Sequence, residues 1–266
     1  MILKILLFKF LVSSCYILTE IIYFKMEAIY FISDIHVGAG TEDNEKSKIN
    51  KLFSFLEYIN NPQNKLYIVG DLFDFWFEYK HVIPKQNYQV FFQFSKLIEN
   101  GVEINFIPGN HDYWTLNFFQ DQIGFKVHPD IVEVELQSKK FFLYHGDGIS
   151  QKDNGYRLLK RVFRNPINIS LYRWLHPDLG VPLARLTSHT SRQHTANKII
   201  NDEKDYLDFA VDKFKKGFDF VVIGHSHVPS LENIEGKYLL NLGDWMYHFS
   251  YGILSNSKLS LKYWKP

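Results

Sequence analysis

Six short hydrophobic runs recur along the chain, and each has the length of a β-strand. They are AIYFI at 28–32, KLYIV at 65–69, EINFI at 103–107, KFFLY at 140–144, FVVI at 220–223 and YLLNL at 238–242. Between several of them lie stretches with the periodicity of an amphipathic helix, such as 49–60 and 88–100. Strands that alternate with helices are typical of α/β proteins with many parallel strand pairs. The pattern therefore predicts an α/β sheet.

Polar residues follow the first five of these runs directly. The candidate ligands that stand there are Asp34, His36, Asp71, Asn110, His145, His225 and His227. Because α/β sheets place ligand sites beyond the carboxyl ends of their strands, we expect these side chains to converge. The glycines in these motifs allow sharp turns and a close approach of the backbone to a bound group.

The seven side chains form a mixed donor set, in which four imidazoles accompany carboxylate and amide oxygens. Such a set suits manganese, iron or zinc and is too rich in nitrogen for calcium or magnesium alone. Seven ligands are too many for one ion, but they suit two ions that share a carboxylate. Two ions about 3.5–4 Å apart activate water for the displacement of a phosphoryl group. Each motif taken singly is also compatible with an ordinary turn or cap.

Composition narrows the class of protein. Of the 266 residues, 46% are apolar and 17% aromatic, which is typical of a globular chain with a sizeable core. The net charge of +1 provides no general attraction to nucleic acid or to an anionic membrane. Because Cys15 is the single cysteine, an internal disulfide is excluded.

Residues 1–25 form a strongly apolar extension that nevertheless carries Lys4, Lys9 and Glu20. We expect this extension not to be translated, because a predicted strand begins almost directly after Met26. Two alternatives stay open. The extension could be a membrane-associating helix. It could also be an export signal, because an early lysine followed by an apolar run is typical of one.

One superfamily carries the same series of motifs at its strand ends. Over 28–147 and 218–245 the chain resembles the calcineurin-like metallophosphoesterases, through Asp34-x-His36, Gly70-Asp71-x-x-Asp74, Gly109-Asn110-His111-Asp112, His145 and Gly224-His225-x-His227. This resemblance implies a four-layer αββα sandwich that binds two Mn²⁺ ions. One ion would be held by Asp34, His36, Asp71 and His227. The other would be held by Asp71, Asn110, His145 and His225, so that Asp71 would bridge the two.

The same resemblance makes His111 the candidate catalytic residue. A histidine held near the phosphate would donate a proton or stabilise charge on the leaving or non-bridging oxygens. Asp112, the next residue, would orient its ring.

The segment 151–198 lies between the fourth and fifth predicted strands and has a mainly helical pattern. It contains nine Lys or Arg residues but only two Asp residues, and it is rich in apolar side chains. We expect 151–198 to be a helical substrate cap on a dimetal phosphoesterase domain formed by 26–150 and 199–266. A basic and apolar cap suits a substrate with a phosphate head and a hydrocarbon body. The alternative is an ordinary helical pair that packs its apolar face on the domain.

The sequence of this insert and of its flanks resembles one particular family within that superfamily. With HGDGISQKDNGY before it and TSRQHTANK at its end, most of 28–248 resembles the UDP-2,3-diacylglucosamine hydrolases. That family hydrolyses a pyrophosphate during lipid A biosynthesis, releasing UMP and 2,3-diacylglucosamine 1-phosphate. The resemblance implies a lipid-linked nucleotide substrate and a cytoplasmic enzyme peripheral on the inner face of the inner membrane. It implies no nucleic acid and no obligate protein partner. The implied substrate contacts are Asp153, Ser191, Thr195, Lys198 and His225.

Two positions depart from the pattern of that narrower family. Thr195 stands where the family has asparagine, and His111 stands where its best-known branch has arginine. The second departure matches the wider superfamily and bears on the choice of substrate rather than on the dimetal chemistry.

Three other functions stay open at this point. A phosphodiesterase or phosphatase acting on nucleotides or phosphoproteins would not need an apolar cap, so dependence on acyl chains separates it from the first interpretation. A nuclease would need a basic groove with aromatic platforms, whereas the basic excess here is concentrated in the insert. A scaffold without metals would bind no ion even at saturating Mn²⁺.

Overall fold

The structure is a computed structural model that describes residues 27–150, 154–184 and 203–265. The predictions made for residues 1–25 therefore lie outside the described residues. So do both ends of the predicted insert, at 151–153 and 185–202.

The described residues form eleven strands and five α-helices, and a sixth helical stretch ends where the second described range ends. The strands are β1 (Ile29–Ile32), β2 (Lys65–Val69), β3 (Glu103–Ile107), β4 (Lys126–Val127), β5 (Ile131–Leu136), β6 (Lys139–Tyr144), β7 (Phe220–Ile223), β8 (Ser230–Ile234), β9 (Lys237–Asn241), β10 (Ser250–Ser255) and β11 (Lys258–Tyr263). The helices are α1 (Glu42–Tyr58), α2 (Tyr88–Glu99), α3 (Asn154–Phe163), α4 (Pro166–Arg173) and α5 (Glu203–Lys215). Further helical residues run from 177 to 184, and short 3₁₀ and π segments stand at Lys85–Asn87 and Phe119–Ile123.

The strands form two mixed sheets. The first has the order β11-β10-β1-β2-β3-β4, and the second has the order β5-β6-β7-β9-β8. Strands β1 to β4 pair in parallel, as do β6, β7 and β9, while β5, β8, β10 and β11 pair antiparallel. The predicted α/β class with extensive parallel pairing is therefore confirmed.

The two sheets pack face to face over an apolar core. Phe31 of β1 stacks on Phe141 of β6 with ring centroids 5.7 Å apart, and both are fully buried. Loss of such a ring costs about 3–5 kcal/mol of folding free energy. Helices α1 and α2 cover the outer face of the first sheet, where Phe55 and Phe94 join its core cluster. Helix α5 covers the second sheet through Ala210 and its neighbours. The order helix, sheet, sheet, helix confirms the four-layer αββα sandwich.

Parallel pairing brings the carboxyl ends of the strands together at one edge of each sheet. The loop after β1 is tied to the loop after β2, because the backbone N–H of Asp34 donates to the carbonyl of Gly70 at 3.1 Å. The second sheet repeats this arrangement, since Gly224 N–H donates to the carbonyl of His145 at 2.9 Å. A bond across the sandwich, from His225 N–H to Oδ2 of Asp34 at 2.9 Å, joins the two edges.

The described part of the predicted insert is helical, as expected from its pattern. Helix α4 begins with Pro166 at its first position, and the side chain of Asn165 caps it by accepting from Ile167 N–H at 2.8 Å. The division of the chain into a cap and a phosphoesterase domain stays a prediction. Over the residues that the structure describes, no helix combines the length and apolarity needed to cross a bilayer.

Candidate metal centre

Five of the candidate ligands have left-handed backbone conformations. Their φ angles are +53° for Asp34, +47° for His36, +53° for Asp71, +67° for His225 and +61° for His227. Such values are uncommon for residues other than glycine and are retained where the surrounding structure imposes them. The tight turns at the strand ends thus direct these five side chains into one site, and the strained backbone is the energetic cost of that arrangement.

Glycines leave room for three of the ligands. A Cβ on Gly109 would lie 2.1 Å from Oδ1 of Asp71, and a Cβ on Gly70 would lie 2.1 Å from Nδ1 of His145. A Cβ on Gly224 would lie 2.5 Å from Oδ2 of Asp34. The absence of a side chain at these positions is therefore a steric requirement of the cluster.

The first group of converging donors consists of Asp34, His36 and His227. Oδ1 of Asp34 lies 3.7 Å from Nε2 of His36 and 3.4 Å from Nε2 of His227. One donor atom from each residue lies within 4.8 Å of the others, which is the spacing of ligands around one ion.

The second group consists of Asp71, His145 and His225, again with one donor atom each within 4.8 Å of the others. Oδ1 of Asn110 lies 3.2 Å from Nε2 of His145, which places the amide beside this group. Oδ2 of Asp71 lies 3.2 Å from Nε2 of His145 and 3.7 Å from Nε2 of His36 in the first group. The structure thus brings all seven predicted ligands together, with Asp71 between the two groups.

The donor set fits divalent metal ions. Within the described residues, Oδ1 of Asp34 and both ring nitrogens of His36 are buried without a hydrogen-bond partner. Buried polar atoms are nearly always paired, so such atoms indicate a missing ligand. Imidazole nitrogens with carboxylate oxygens are the donors that divalent transition metals prefer.

Burial and charge set the protonation of the histidines. Burial lowers the pKa of His36 and of His225 to about 4, so both rings are neutral near pH 7 and able to bind a metal. Burial alone would lower the pKa of His145, but the charge of Asp71 raises it to about 10. His145 and Asp71 therefore form an ion pair that a metal ion would replace.

The carboxylates of Asp34 and Asp71 stay ionised although both are buried. Burial alone would raise the pKa of Asp34, but the charge of His227 and the contact with His36 lower it to about 2. The charge of His145 likewise outweighs burial at Asp71 and holds its pKa well below the usual range. Both carboxylates are thus anionic and available as ligands at neutral pH.

His111 lies at the edge of the cluster and is 9% exposed. Its Nδ1 lies 2.7 Å from the carbonyl oxygen of Asp74, and its ring packs edge-on against His36 at 4.8 Å. Asp112 was expected to orient this ring. Its carboxylate instead accepts the backbone N–H groups of Leu72 and Gly109, both at 2.7 Å, so it joins the loops after β2 and β3. Burial raises the pKa of Asp112 to about 7, with the charge of Asp71 as a further cause.

Three supporting residues were given no role in the site from the sequence. Asp74 belonged to the motif Gly70-Asp71-x-x-Asp74 without an assigned role, and it forms a further potential ligand group with His36 and His111. Lys48 of α1 is 5% exposed and donates to the carbonyl of His36 at 2.6 Å. Asp147 is 1% exposed and follows His145 by two residues. Lys48 directly precedes the helical stretch predicted at 49–60, so no sequence pattern indicated its burial.

Among the predicted substrate contacts, the structure places His225 in the metal cluster. The other four positions, Asp153, Ser191, Thr195 and Lys198, lie outside the described residues.

A cavity of about 510 Å³ opens beside the cluster. Asn110 and His111 line it from the side of the metal ligands. Most of the remaining lining is aromatic or aliphatic and comes partly from the helices of the insert: Phe75, Phe77, Trp114, Leu159, Val162, Phe163, Ile169 and Tyr172. An apolar cavity that joins a polar cluster suits a substrate with a charged head and an apolar body.

Comparison with known proteins agrees with this geometry. The sequence profile of the calcineurin-like phosphoesterases matches residues 28–229. A UDP-2,3-diacylglucosamine hydrolase of Porphyromonas gingivalis is 32% identical over 252 residues, which cover 88% of this chain and 96% of the relative. Enzymes of the same name from Histophilus somni and Aeromonas hydrophila are 28% and 29% identical, covering 83% and 81% of this chain and 93% and 89% of those relatives.

The chain therefore belongs to the calcineurin-like phosphoesterase family. It is a hydrolase of that family, and its converging histidines and carboxylates indicate that it uses divalent metal ions.

Proposed function

We propose that the protein hydrolyses the pyrophosphate of UDP-2,3-diacylglucosamine to UMP and 2,3-diacylglucosamine 1-phosphate, a step of lipid A biosynthesis. The observation that carries this proposal is the junction of the ligand cluster with the apolar cavity at Asn110 and His111. The names of the relatives that match almost the full length of this chain support the choice of substrate.

We infer that the cluster holds two Mn²⁺ ions. Asp34, His36, Asp71 and His227 would bind one ion, and Asp71, Asn110, His145 and His225 would bind the other. Bound divalent ions supply Lewis acidity, which makes a water molecule nucleophilic near neutral pH and neutralises charge on phosphoryl oxygens.

His111 is the proposed proton donor to the leaving oxygen. Because a carbonyl oxygen only accepts, the contact with Asp74 requires that Nδ1 of His111 carry a hydrogen. A proton given to the substrate would then come from Nε2 of the imidazolium form. Asp74 thus fixes the orientation in which His111 faces the substrate.

The cavity would hold hydrocarbon from the acyl chains. Phe163, Ile169 and Tyr172 offer apolar surface there and exclude water from the phosphate end. The predicted cap at 151–198, with Asp153, Ser191, Thr195 and Lys198, would hold the glucosamine and the phosphates together with His225. Domain boundaries at 150/151 and 198/199 belong to the same proposal.

The substrate's location suggests a peripheral contact with the cytoplasmic face of the inner membrane. Trp174 is 89% exposed and Leu171 is 65% exposed, and the preceding helix carries the exposed Arg157 and Arg161. Exposed aromatic and aliphatic side chains among arginines favour the interface of an anionic membrane. Neither nucleic acid nor an obligate protein partner is part of the proposed function.

The test is a substrate comparison with the full chain loaded with Mn²⁺. UMP release is followed with UDP-2,3-diacylglucosamine and with UDP-N-acetylglucosamine, and a bis-aryl phosphate reports the bare phosphodiesterase activity. We expect rapid UMP release from the acylated substrate alone.

Two results would contradict this substrate. Equal UMP release from both nucleotide sugars would show that the acyl chains are not recognised. Cleavage of the aryl ester without cleavage of the lipid would support the metal centre and contradict the proposed substrate. His111, where the best-known branch of the narrower family has arginine, would then be the first position to exchange.

A further inference from the structure

Lys160 of helix α3 and Arg164, which directly follows the helix, meet the same buried carboxylate. Nζ of Lys160 lies 2.7 Å from Oδ2 of Asp147, and a guanidinium nitrogen of Arg164 lies 3.3 Å from the same oxygen. The two cations stand four residues apart, so they share one face of the helix. The sequence suggested that the basic residues of this segment face substrate phosphates. These two line the cavity beside the cluster, and both are also paired with a carboxylate of the protein.

The partner of these cations belongs to the loop that carries a metal ligand. Asp147 follows His145 by two residues and is 1% exposed. Its backbone carbonyl also accepts from Nζ of Lys160 at 3.1 Å, and the same ammonium lies 3.2 Å from the hydroxyl of Tyr144. Lys160 therefore joins α3 to the end of β6 by several contacts.

The last turn of α3 also contacts the loop after β3, which carries Asn110 and His111. The guanidinium of Arg164 lies 3.9 Å from the ring centre of Tyr113, and Nε1 of Trp114 donates to the carbonyl of Phe163 at 2.9 Å. One helix thus contacts two of the loops that present ligands of the second group, the loop after β3 and the loop after β6.

We propose that Asp147, Lys160 and Arg164 form a charge clamp that fixes α3 over the metal loops and thereby aligns the apolar cavity with the reacting phosphate. They act as positioning residues for an acylated substrate, and this inference rests on the proposed function. Leu159, Val162 and Phe163 of the same helix line the cavity, so a displaced α3 would misplace the apolar wall.

The first measurement does not depend on the substrate. Hydrogen exchange of the amides of 154–163 is compared between the wild type, Asp147→Asn and the double variant Lys160→Met/Arg164→Met. Because local opening is governed by local contacts, we expect exchange in α3 to accelerate at least about tenfold in both variants while β1 to β3 keep their protection. Arg161→Met, an exposed arginine on the same helix, is the matched control and should exchange like the wild type.

The second measurement separates positioning from a general structural role. In Asp147→Asn, which removes the carboxylate of the clamp without changing a residue that lines the cavity, we expect KM for the acylated substrate to rise about tenfold, with hydrolysis of the bis-aryl phosphate and the Mn²⁺ content changing less than about twofold. Unchanged exchange in α3 would overturn the clamp. Parallel loss of both activities, or an unchanged KM, would overturn its positioning role. If the wild type itself fails to release UMP from the acylated substrate, the proposed substrate fails, while the exchange comparison still decides whether the clamp holds α3.

Discussion

Asp71 is the residue through which the two ligand groups meet. Its Oδ2 lies between Nε2 of His145 and Nε2 of His36, at 3.2 and 3.7 Å. We predict that Asp71→Ala lowers the rate of UMP release at least about 100-fold, because both proposed ions would lose a ligand. A rate above a few per cent of the wild type in this variant would contradict a shared carboxylate.

His145 determines how metal binding depends on pH. The charge of Asp71 outweighs burial and raises the pKa of His145 to about 10, so the ring carries a proton at pH 8 in the absence of metal. A metal-bound imidazole nitrogen must give up that proton. We therefore predict that Mn²⁺ binding at pH 8 releases about one proton per chain and that affinity rises with pH in this range.

Calorimetry in two buffers of different ionisation enthalpy measures this proton release. His36 does not contribute to the released proton, because burial lowers its pKa to about 4 and its ring is already neutral at pH 8. An identical binding enthalpy in both buffers would mean that no proton leaves.

The loop after β3 depends on a glycine for steric reasons. A Cβ at position 109 would lie 2.1 Å from Oδ1 of Asp71. We predict that Gly109→Ala displaces this carboxylate and reduces Mn²⁺ affinity by about 10–100-fold, as measured by metal titration. Gly155→Ala in α3 is the control, because a Cβ there meets nothing within 4 Å. Equal affinities in the two variants would refute the steric argument.

Helix α1 supports the loop after β1 through a buried lysine. Lys48 donates to the carbonyl of His36 at 2.6 Å and pairs with Glu45 at 2.8 Å, and Glu45 accepts from Gly38 N–H. We predict that Lys48→Met lowers the free energy of unfolding by about 1–3 kcal/mol, because buried polar partners lose their hydrogen bonds. Urea unfolding checks this prediction, with the exposed Lys46→Met as the control. Equal stability of both variants would show that Lys48 does not support the loop.

Among the strands, the sequence predicted those with continuous apolar runs well and those of mixed polarity poorly. The runs at 65–69, 103–107 and 220–223 have the bounds of β2, β3 and β7, because strands buried on both faces are continuously apolar. Strands β10 and β11 escaped prediction. β10 is mostly buried, but its sequence SYGILS mixes polar and apolar residues, and β11 is mostly exposed or half-buried. The two strands turn at Asn256 and Ser257, whose φ angles of +53° and +59° form a tight hairpin without a glycine.

The tertiary packing of the molecule explains why the metal ligands could be predicted from the sequence and the residues that hold them in place could not. The ligands follow strand ends, so their convergence depends only on parallel pairing. The contact of Asp112 with Leu72 and that of Lys160 with Asp147 depend on how separate loops and helices pack, which no local pattern specifies. Packing of the two sheets through Phe31 and Phe141 then brings the ligands of the first sheet close to those of the second sheet.

We propose that a cluster shared by both sheets binds two ions and hydrolyses a lipid-linked pyrophosphate. The most direct test is UMP release from UDP-2,3-diacylglucosamine by metal-free protein as Mn²⁺ is added in known equivalents. We expect no release without metal and a rate that rises until about two equivalents are bound. UMP release that persists in the presence of a chelator, or no release at any Mn²⁺ concentration, would contradict this proposal.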